Sequence, residues 1–147
     1  MKATLRLAYA IVLGFVVGSA LNMGLIGASG AIIAPPAGAD MTTAEGIRAA
    51  LHLLEPRHYL MPFLAHALGT LCGAALAAKV AGERSTWAAA AVTCLFLSGG
   101  VLASTMIPAP VWFTLIDLAL AYLPFGYLGN RMAGGRLASR GTVEPGA

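Results

Sequence analysis

The sequence predicts an all-α integral membrane protein, a four-transmembrane-helix bundle with a short amphipathic helix in its outer loop. Hydrophobic residues make up 59% of the 147 residues, charged residues make up only 10%, and the mean hydropathy is +0.80. A water-soluble domain carries about 25% charged residues, so most of this chain must have lipid as its solvent. The net charge of +3 comes from basic residues that flank the apolar segments, and we therefore expect no nucleic-acid partner.

Four apolar segments have the length of about 20 residues that a helix needs to cross the hydrocarbon. The first is longer than the apolar core of a secretory signal and is interpreted as a retained span. Only Pro108-Ala109-Pro110 separates the third segment from the fourth, so these two must be antiparallel neighbours. The predicted spans are residues 5–28, 58–81, 87–107 and 111–130.

The distribution of Lys and Arg predicts that both termini are cytoplasmic. With the N-terminus inside, only Arg48 and Arg57 lie on the outer side. The other seven basic residues flank the inner ends of the spans, a strong positive-inside asymmetry; they are Lys2, Arg6, Lys79, Arg84, Arg131, Arg136 and Arg140. The bias toward Ala, Gly and Arg is typical of a GC-rich bacterium, so the expected location is the bacterial cytoplasmic (inner) membrane.

The long connection, residues 29–57, is the predicted outer loop. Thr42 and Glu45 have the spacing of a capping box, which predicts a helix from about Thr43 to Leu54. One face of this helix is apolar and the other polar, as in a helix that lies in the membrane interface. At the other end of the chain, residues 133–147 are rich in Gly, Arg and Ser, and we expect a disordered cytoplasmic tail.

Asp117 is the most informative residue, because it is a lone carboxylate in an otherwise apolar span. A charge at that depth costs about 2.5–3.5 kcal/mol unless it finds a partner or water. At 1.5 Å per residue, Asp117, His66 and Asn22 all lie about 9–12 Å below the outer surface, and Ser98 reaches a similar depth. The first three lie on stripes of small residues, which normally mark helix interfaces. We expect these four residues to form a polar site inside the bundle.

A second polar group, His52, Glu55 and His58, lies at the outer rim. Such a group could hold a divalent metal such as zinc or gate the outer mouth, although its spacing matches no metal signature. Two imidazoles, such as His58 and His66, could also ligate a haem, but nothing in the sequence selects for one, and the cofactor is unknown. Two cysteines outside any CxxC motif indicate neither a disulfide framework nor a zinc site.

The segments LEPRHYLMPFLAHALGT and PAPVWFTLIDLALAYLPFGYLG resemble those of small bacterial membrane proteins with four spans. The resemblance covers most of residues 5–130. That group has no established activity, so the resemblance implies the fold and no site residue, substrate or cofactor.

Three classes of function stay open. The first is a transporter or permeation protein in which His66 and Asp117 carry a proton or an ion and Asn22 assists. Such a protein would be a homo-oligomer, because 147 residues hardly enclose a pathway alone. The second is a membrane protein that binds a cofactor or a lipid, including an enzyme, although no catalytic motif is present. The third is an accessory subunit of a membrane complex, in which the polar layer only holds the helices together.

Overall fold

A computed structural model of the protein describes residues 3–134. All regular secondary structure in this range is helical, with short 3₁₀ turns at Leu51–Leu53, Pro56–Tyr59 and Gly82–Arg84. The α-helices in this range are α1 (Ala3–Ile32), α2 (Ala44–Ala50), α3 (Leu60–Ala81), α4 (Ser85–Met106), α5 (Val111–Leu120) and α6 (Leu123–Met132). The predicted all-α architecture is confirmed.

Three segments of the described chain are long and apolar enough to cross a membrane: Ala3–Ile32, Pro56–Met106 and Val111–Met132. Only 17–22% of the apolar window of each is buried inside the protein. Large apolar side chains therefore remain on the surface, as with Val111 and Trp87, which are 74% and 75% exposed. An apolar surface of this extent is compatible with a membrane protein.

The 51-residue segment Pro56–Met106 folds back on itself. Gly82 follows α3 with a φ of +66°, a conformation that residues with a side chain rarely adopt, and one 3₁₀ turn then leads into α4. A Cβ on Gly73 of α3 would lie 3.3 Å from both Val92 and Phe96 of α4. The two helices therefore form an antiparallel hairpin.

Glycines bring α1 and α3 into close contact. A Cβ on Gly14 would lie 2.5 Å from the carbonyl oxygen of Gly73, and a Cβ on Gly18 would lie 2.5 Å from that of Gly69. No side chain fits between the two backbones. Small residues of this kind normally mark interfaces between membrane helices. They contact each other within one chain, so they are not free for a second copy.

The predicted fourth span is broken in its middle. Pro124 has no amide hydrogen to donate and disrupts the preceding helical turn, so α5 ends at Leu120 and α6 begins at Leu123. The linking residues, Ala121 and Tyr122, are fully buried. Both halves of the broken helix contact the hairpin of α3 and α4.

Several boundaries differ from the prediction. α1 does not end at residue 28 but continues to Ile32, because no proline occurs before Pro35 to stop it. The loop is correspondingly shorter than the predicted 29–57. The fourth predicted span extends to Met132, and most of the predicted tail, from residue 135 onward, lies outside the described residues.

The outer-loop helix is shorter than the predicted range from Thr43 to Leu54, and its cap differs. The cap is Thr43, whose hydroxyl oxygen accepts the Gly46 N–H at 3.0 Å. The expected cap, Thr42, instead donates its hydroxyl to Asp40 Oδ1 at 2.6 Å. α2 ends at Ala50 and continues only as one 3₁₀ turn.

Candidate functional site

Asp117 on α5 and His66 on α3 form a hydrogen-bonded pair inside the bundle. His66 Nδ1 lies 2.9 Å from both Oδ1 and Oδ2 of Asp117. Asp117 is only 5% exposed. Two of the four residues expected in the polar site are therefore brought together, and the lone carboxylate has its partner.

Tyr122 completes the pair and was missed by the sequence analysis. Its hydroxyl donates to Asp117 Oδ2 at 3.3 Å, and its ring stacks on the His66 imidazole with 5.7 Å between ring centroids. Gly100 of α4 makes room for this ring, because a Cβ there would overlap the Tyr122 hydroxyl. A regular helix turns about 140° between residues five apart. The break before Pro124 changes this angle, so that Tyr122 can face Asp117. Pro124 was therefore the signal in the sequence that could have indicated this contact.

Asn22 does not hydrogen-bond to the pair. Its Cβ lies 3.0 Å from the position that a Cβ of Gly69 would take, and Gly69 is three residues beyond His66 on α3. The Asn22 Oδ1 is buried and has no hydrogen-bond partner among residues 3–134. The expected depth assumed that α1 ends at residue 28. With the end at Ile32, Asn22 lies about 15 Å from the helix end.

Ser98 is exposed on the surface of α4 and does not line the site. The prediction rested on its depth along the span and did not consider which side of the helix it faces. Gly100, which lies against Tyr122, is two residues further on and about 200° around the helix. The two positions therefore face opposite sides of α4.

A cavity of about 310 Å³ lies on the outer-loop side of the pair, with His66 and Asp117 at its floor. Its walls are the loop-facing ends of α1, α3, α4 and α5, and the loop itself forms the roof. Beyond the floor, Thr70 and Val92 are completely buried. Within the described chain, the cavity thus ends at the pair. The roof residues are Pro35, Met41, Ile47 and Leu54.

The cavity offers few polar groups to a ligand. Ser29, Ser104 and Thr114 line it, but each hydroxyl donates to a carbonyl oxygen three or four residues earlier in the chain, at 2.6–3.4 Å. The remaining polar side chains of the lining are those of His58, His66 and Asp117, together with the hydroxyl of Tyr59. The other lining groups are aliphatic and aromatic, so the cavity suits an apolar molecule.

An aromatic cluster supports the cavity wall. The ring of Tyr59 packs against Phe113 at 4.9 Å and against Trp112 at 5.4 Å between ring centroids. Its hydroxyl is buried and has no hydrogen-bond partner in the part of the chain that the structure describes. Tyr59 and Phe113 both line the cavity, and the packing of their rings against each other stabilises this wall.

The outer-rim group does not assemble into a metal site. His58 Nδ1 accepts the Glu55 N–H at 2.9 Å, and the Glu55 carboxylate pairs with Arg57 at 3.1 Å. His52 is exposed on a 3₁₀ turn. Between residues 3 and 134, no group of three or more His, Cys, Asp or Glu residues is placed to hold a metal ion. Only His58 of the three lines the cavity.

Asp40 organises the loop that roofs the cavity. Its carboxylate accepts the Thr42 hydroxyl at 2.6 Å, the Thr42 N–H at 2.8 Å and the Thr43 hydroxyl at 2.9 Å. These hydrogen bonds, that of the Thr42 hydroxyl above all, lower the pKa of Asp40 below its ordinary value of 3.8. Asp40 also packs against Gly46, where a Cβ would lie 2.5 Å from its carbonyl oxygen. The start of α2 is therefore held in place while Asp40 is ionised.

Comparison of the chain with the known protein families, with curated proteins and with solved structures finds no match.

Proposed function

We propose that the protein binds an apolar, lipid-soluble molecule in this cavity and holds the molecule's polar head against His66. The observation that carries the proposal is an apolar cavity of about 310 Å³ with one hydrogen-bonded pair at its floor. Small-molecule sites typically have about 300–1,000 Å³, an apolar lining and a few placed polar groups. The cavity meets each of these criteria.

The exposure of His66 favours binding over a purely structural role for the pair. The Asp117 side chain is sealed, at 7% exposure, but the His66 side chain keeps 22% exposure and lines the cavity. The imidazole therefore presents a surface to whatever occupies the cavity.

We further propose that α1, α3, α4 and the broken helix α5–α6 each cross the bacterial inner membrane, with both termini cytoplasmic. The lengths of α3 and α4, 22 residues each, are sufficient for a crossing. The asymmetry of Lys and Arg supports this orientation. In this topology the cavity lies in the outer leaflet and opens beneath the loop.

Cysteine labelling tests this topology. Cys72 and Cys94 are first replaced with Ser, and a single cysteine is then introduced at Asp40 in the loop or at Glu83 in the α3–α4 turn. In intact bacteria, a membrane-impermeant maleimide should modify D40C and leave E83C unmodified until the cells are lysed. Labelling of E83C in intact cells, or protection of D40C, would contradict the proposed orientation.

The binding proposal is tested by mass spectrometry of the protein purified in a mild detergent. We expect a small molecule that stays bound and is released on denaturation. A103F should lose this molecule, because Ala103 lines the cavity, whereas the control S98A should keep it, because Ser98 is exposed outside the cavity. A protein without a bound molecule, or equal retention by both variants, would count against the proposal.

A second candidate, a permeation protein, is favoured by the broken helix beside the pair. Substrate and ion sites in transporters are commonly formed where a membrane helix is discontinuous. Here the break at Ala121–Tyr122 lies about one helical turn after Asp117. In this alternative, the pair would pass a proton or an ion inward. Proteoliposomes loaded with a pH-sensitive dye should then acidify or alkalinise with the wild type, and D117N should abolish the flux.

A further inference from the structure

We infer that the molecule bound in the cavity presents an uncharged hydrogen-bond donor, a hydroxyl group, to Nε2 of His66. This inference rests on the proposed binding function and specifies the chemistry of the ligand's head. It follows from the tautomer of His66, from the charges around the cavity floor and from the cavity volume.

The contact with Asp117 fixes the tautomer of His66. Both carboxylate oxygens lie 2.9 Å from Nδ1, and an ionised carboxylate only accepts hydrogen bonds. The proton of a neutral imidazole must therefore be on Nδ1. The hydroxyl of Tyr122 also donates to Asp117 Oδ2, so the carboxylate is the acceptor in both of its contacts.

The other ring nitrogen, Nε2, is left as an acceptor. In a neutral imidazole with its proton on Nδ1, Nε2 carries a lone pair. The described part of the chain gives Nε2 no hydrogen-bond donor, while His66 lines the cavity and keeps 22% of its side chain exposed. A ligand satisfies this nitrogen if it donates a hydrogen bond from the cavity side.

The charges around the cavity disfavour a charged head. No Lys or Arg is among the lining residues, and Asp117 is the only acid, so an anionic head would lie near a carboxylate without any countercharge. A cationic head would reach little of that carboxylate, because the Asp117 side chain is only 7% exposed and already contacts His66 and Tyr122. Burying an unpaired charge is far more costly than burying a hydroxyl that makes its hydrogen bond.

The cavity volume sets the size of a suitable probe. One water molecule takes up about 30 Å³ of liquid water. A cavity of about 310 Å³ therefore has room for roughly ten groups of that size. A molecule of about ten heavy atoms is therefore an appropriate probe. We choose 1-decanol, with decane, decanoate and decyltrimethylammonium as probes of matched chain length.

Nitrogen NMR of the full-length protein, ¹⁵N-labelled on histidine and held in lipid nanodiscs, tests the inference directly. H66Q assigns the His66 signals by their disappearance, since His52 and His58 are the other histidines. The free protein should show His66 with its proton on Nδ1. 1-Decanol should then shift the Nε2 signal, as expected for a new hydrogen bond, and the other three probes should not.

An exchange of the tautomer provides a second, independent readout. In D117N the Tyr122 hydroxyl can donate to the amide oxygen, so that the amide NH₂ faces Nδ1 and the proton moves to Nε2. Replacing a carboxylate with an amide beside histidine is known to favour this other tautomer. We expect D117N to bind 1-decanol about tenfold more weakly and to gain affinity for 2-decanone, whose head only accepts. The exposed variant S98A should retain the wild-type preference.

The outcomes separate the two proposals. If decane and 1-decanol bind equally well without any change at Nε2, the cavity is a binding site but the inference about the head group is overturned. A free His66 with its proton on Nε2, or a preference for decanoate or decyltrimethylammonium, also overturns it. If none of the probes changes the His66 signals or the thermal stability of the protein, the proposed binding function itself fails.

Discussion

Replacing Gly18 with Ala tests the α1–α3 contact, because Gly24 on the same helix offers a matched control. A Cβ at position 18 would lie 2.5 Å from the Gly69 carbonyl oxygen and 2.9 Å from the Phe96 ring. The first of these atoms belongs to a helical backbone and cannot move alone. A Cβ at position 24 would meet nothing within 4 Å, so G24A makes the same chemical change in open space.

The size of the effect follows from these distances. Non-bonded atoms are at their optimum about 3.5–4.0 Å apart, so G18A must push α1 away from α3 by about 1 Å. Overpacking of this kind costs about 1–3 kcal/mol, whereas the higher helix propensity of Ala returns at most about 1 kcal/mol. We expect G18A to lower the free energy of unfolding by about 1–2 kcal/mol and G24A to leave it unchanged or raise it.

The assay is reversible unfolding by SDS in mixed micelles, followed by tryptophan fluorescence. Both variants are compared with the wild type under identical conditions, and only G18A should unfold at a lower SDS fraction. Equal destabilisation by the two substitutions would refute the reasoning, because a general effect of Ala on α1 cannot distinguish a packed position from an open one. No destabilisation by G18A would show that the backbones do not meet at Gly18.

Three further predictions concern the site and its roof. D117L alone should destabilise the protein in the same SDS assay by about 1–3 kcal/mol, because it leaves the His66 Nδ1–H without its acceptor. The double variant of Asp117 and His66 to Leu should recover most of this loss. P124A should close the break between α5 and α6, because the new amide can donate to the carbonyl oxygen four residues earlier; hydrogen exchange should find that amide protected. The lowered pKa of Asp40 means that its hydrogen bonds stabilise the loop above pH 3.8 and are lost as the pH falls through the lowered pKa of the folded protein. The Thr42 amide should therefore exchange faster in acid, and in D40A, which removes the acceptor, it should exchange fast at neutral pH as well.

The Asp117–His66 pair could be anticipated from the sequence, because the cost of an isolated charge in lipid is large. A carboxylate in an apolar span must find a partner, and few polar side chains of the chain reach its depth. His66 was the one titratable candidate among them. Counting residues from the helix ends was sufficient to find it, since both helices begin near the predicted positions.

Asn22 and Ser98 show where that method fails. Depth depends on the helix end from which it is counted, and α1 continues past residue 28 to Ile32, which moves Asn22 away from the pair. The direction in which a side chain points depends on the rotation of its helix about the helix axis. The sequence of a single helix does not determine this rotation. Ser98 was chosen by its depth alone and is exposed outside the site, whereas Gly100 lies against Tyr122.

Tyr122 could not be assigned because its position depends on a break rather than on regular geometry. Pro124, which causes the break, is visible in the sequence, but its effect on the residues before it is not determined by local sequence. The link at Ala121–Tyr122, which belongs to neither α5 nor α6, directs the hydroxyl back toward Asp117, five residues earlier. The Tyr122 ring is positioned for this contact by His66 of α3, on which it stacks, and by Gly100 of α4, against which it lies.

The glycine contact and the cavity are two consequences of one packing arrangement. α1 and α3 touch backbone to backbone at Gly14 and Gly18, where neither helix has side chains to separate them. The part of α1 that lines the cavity begins only at Ile26, about two turns further along, where larger side chains return. Because α1 both meets α3 at the glycines and lines the cavity above His66, a substitution that forces α1 from α3 should also change the volume available to a ligand.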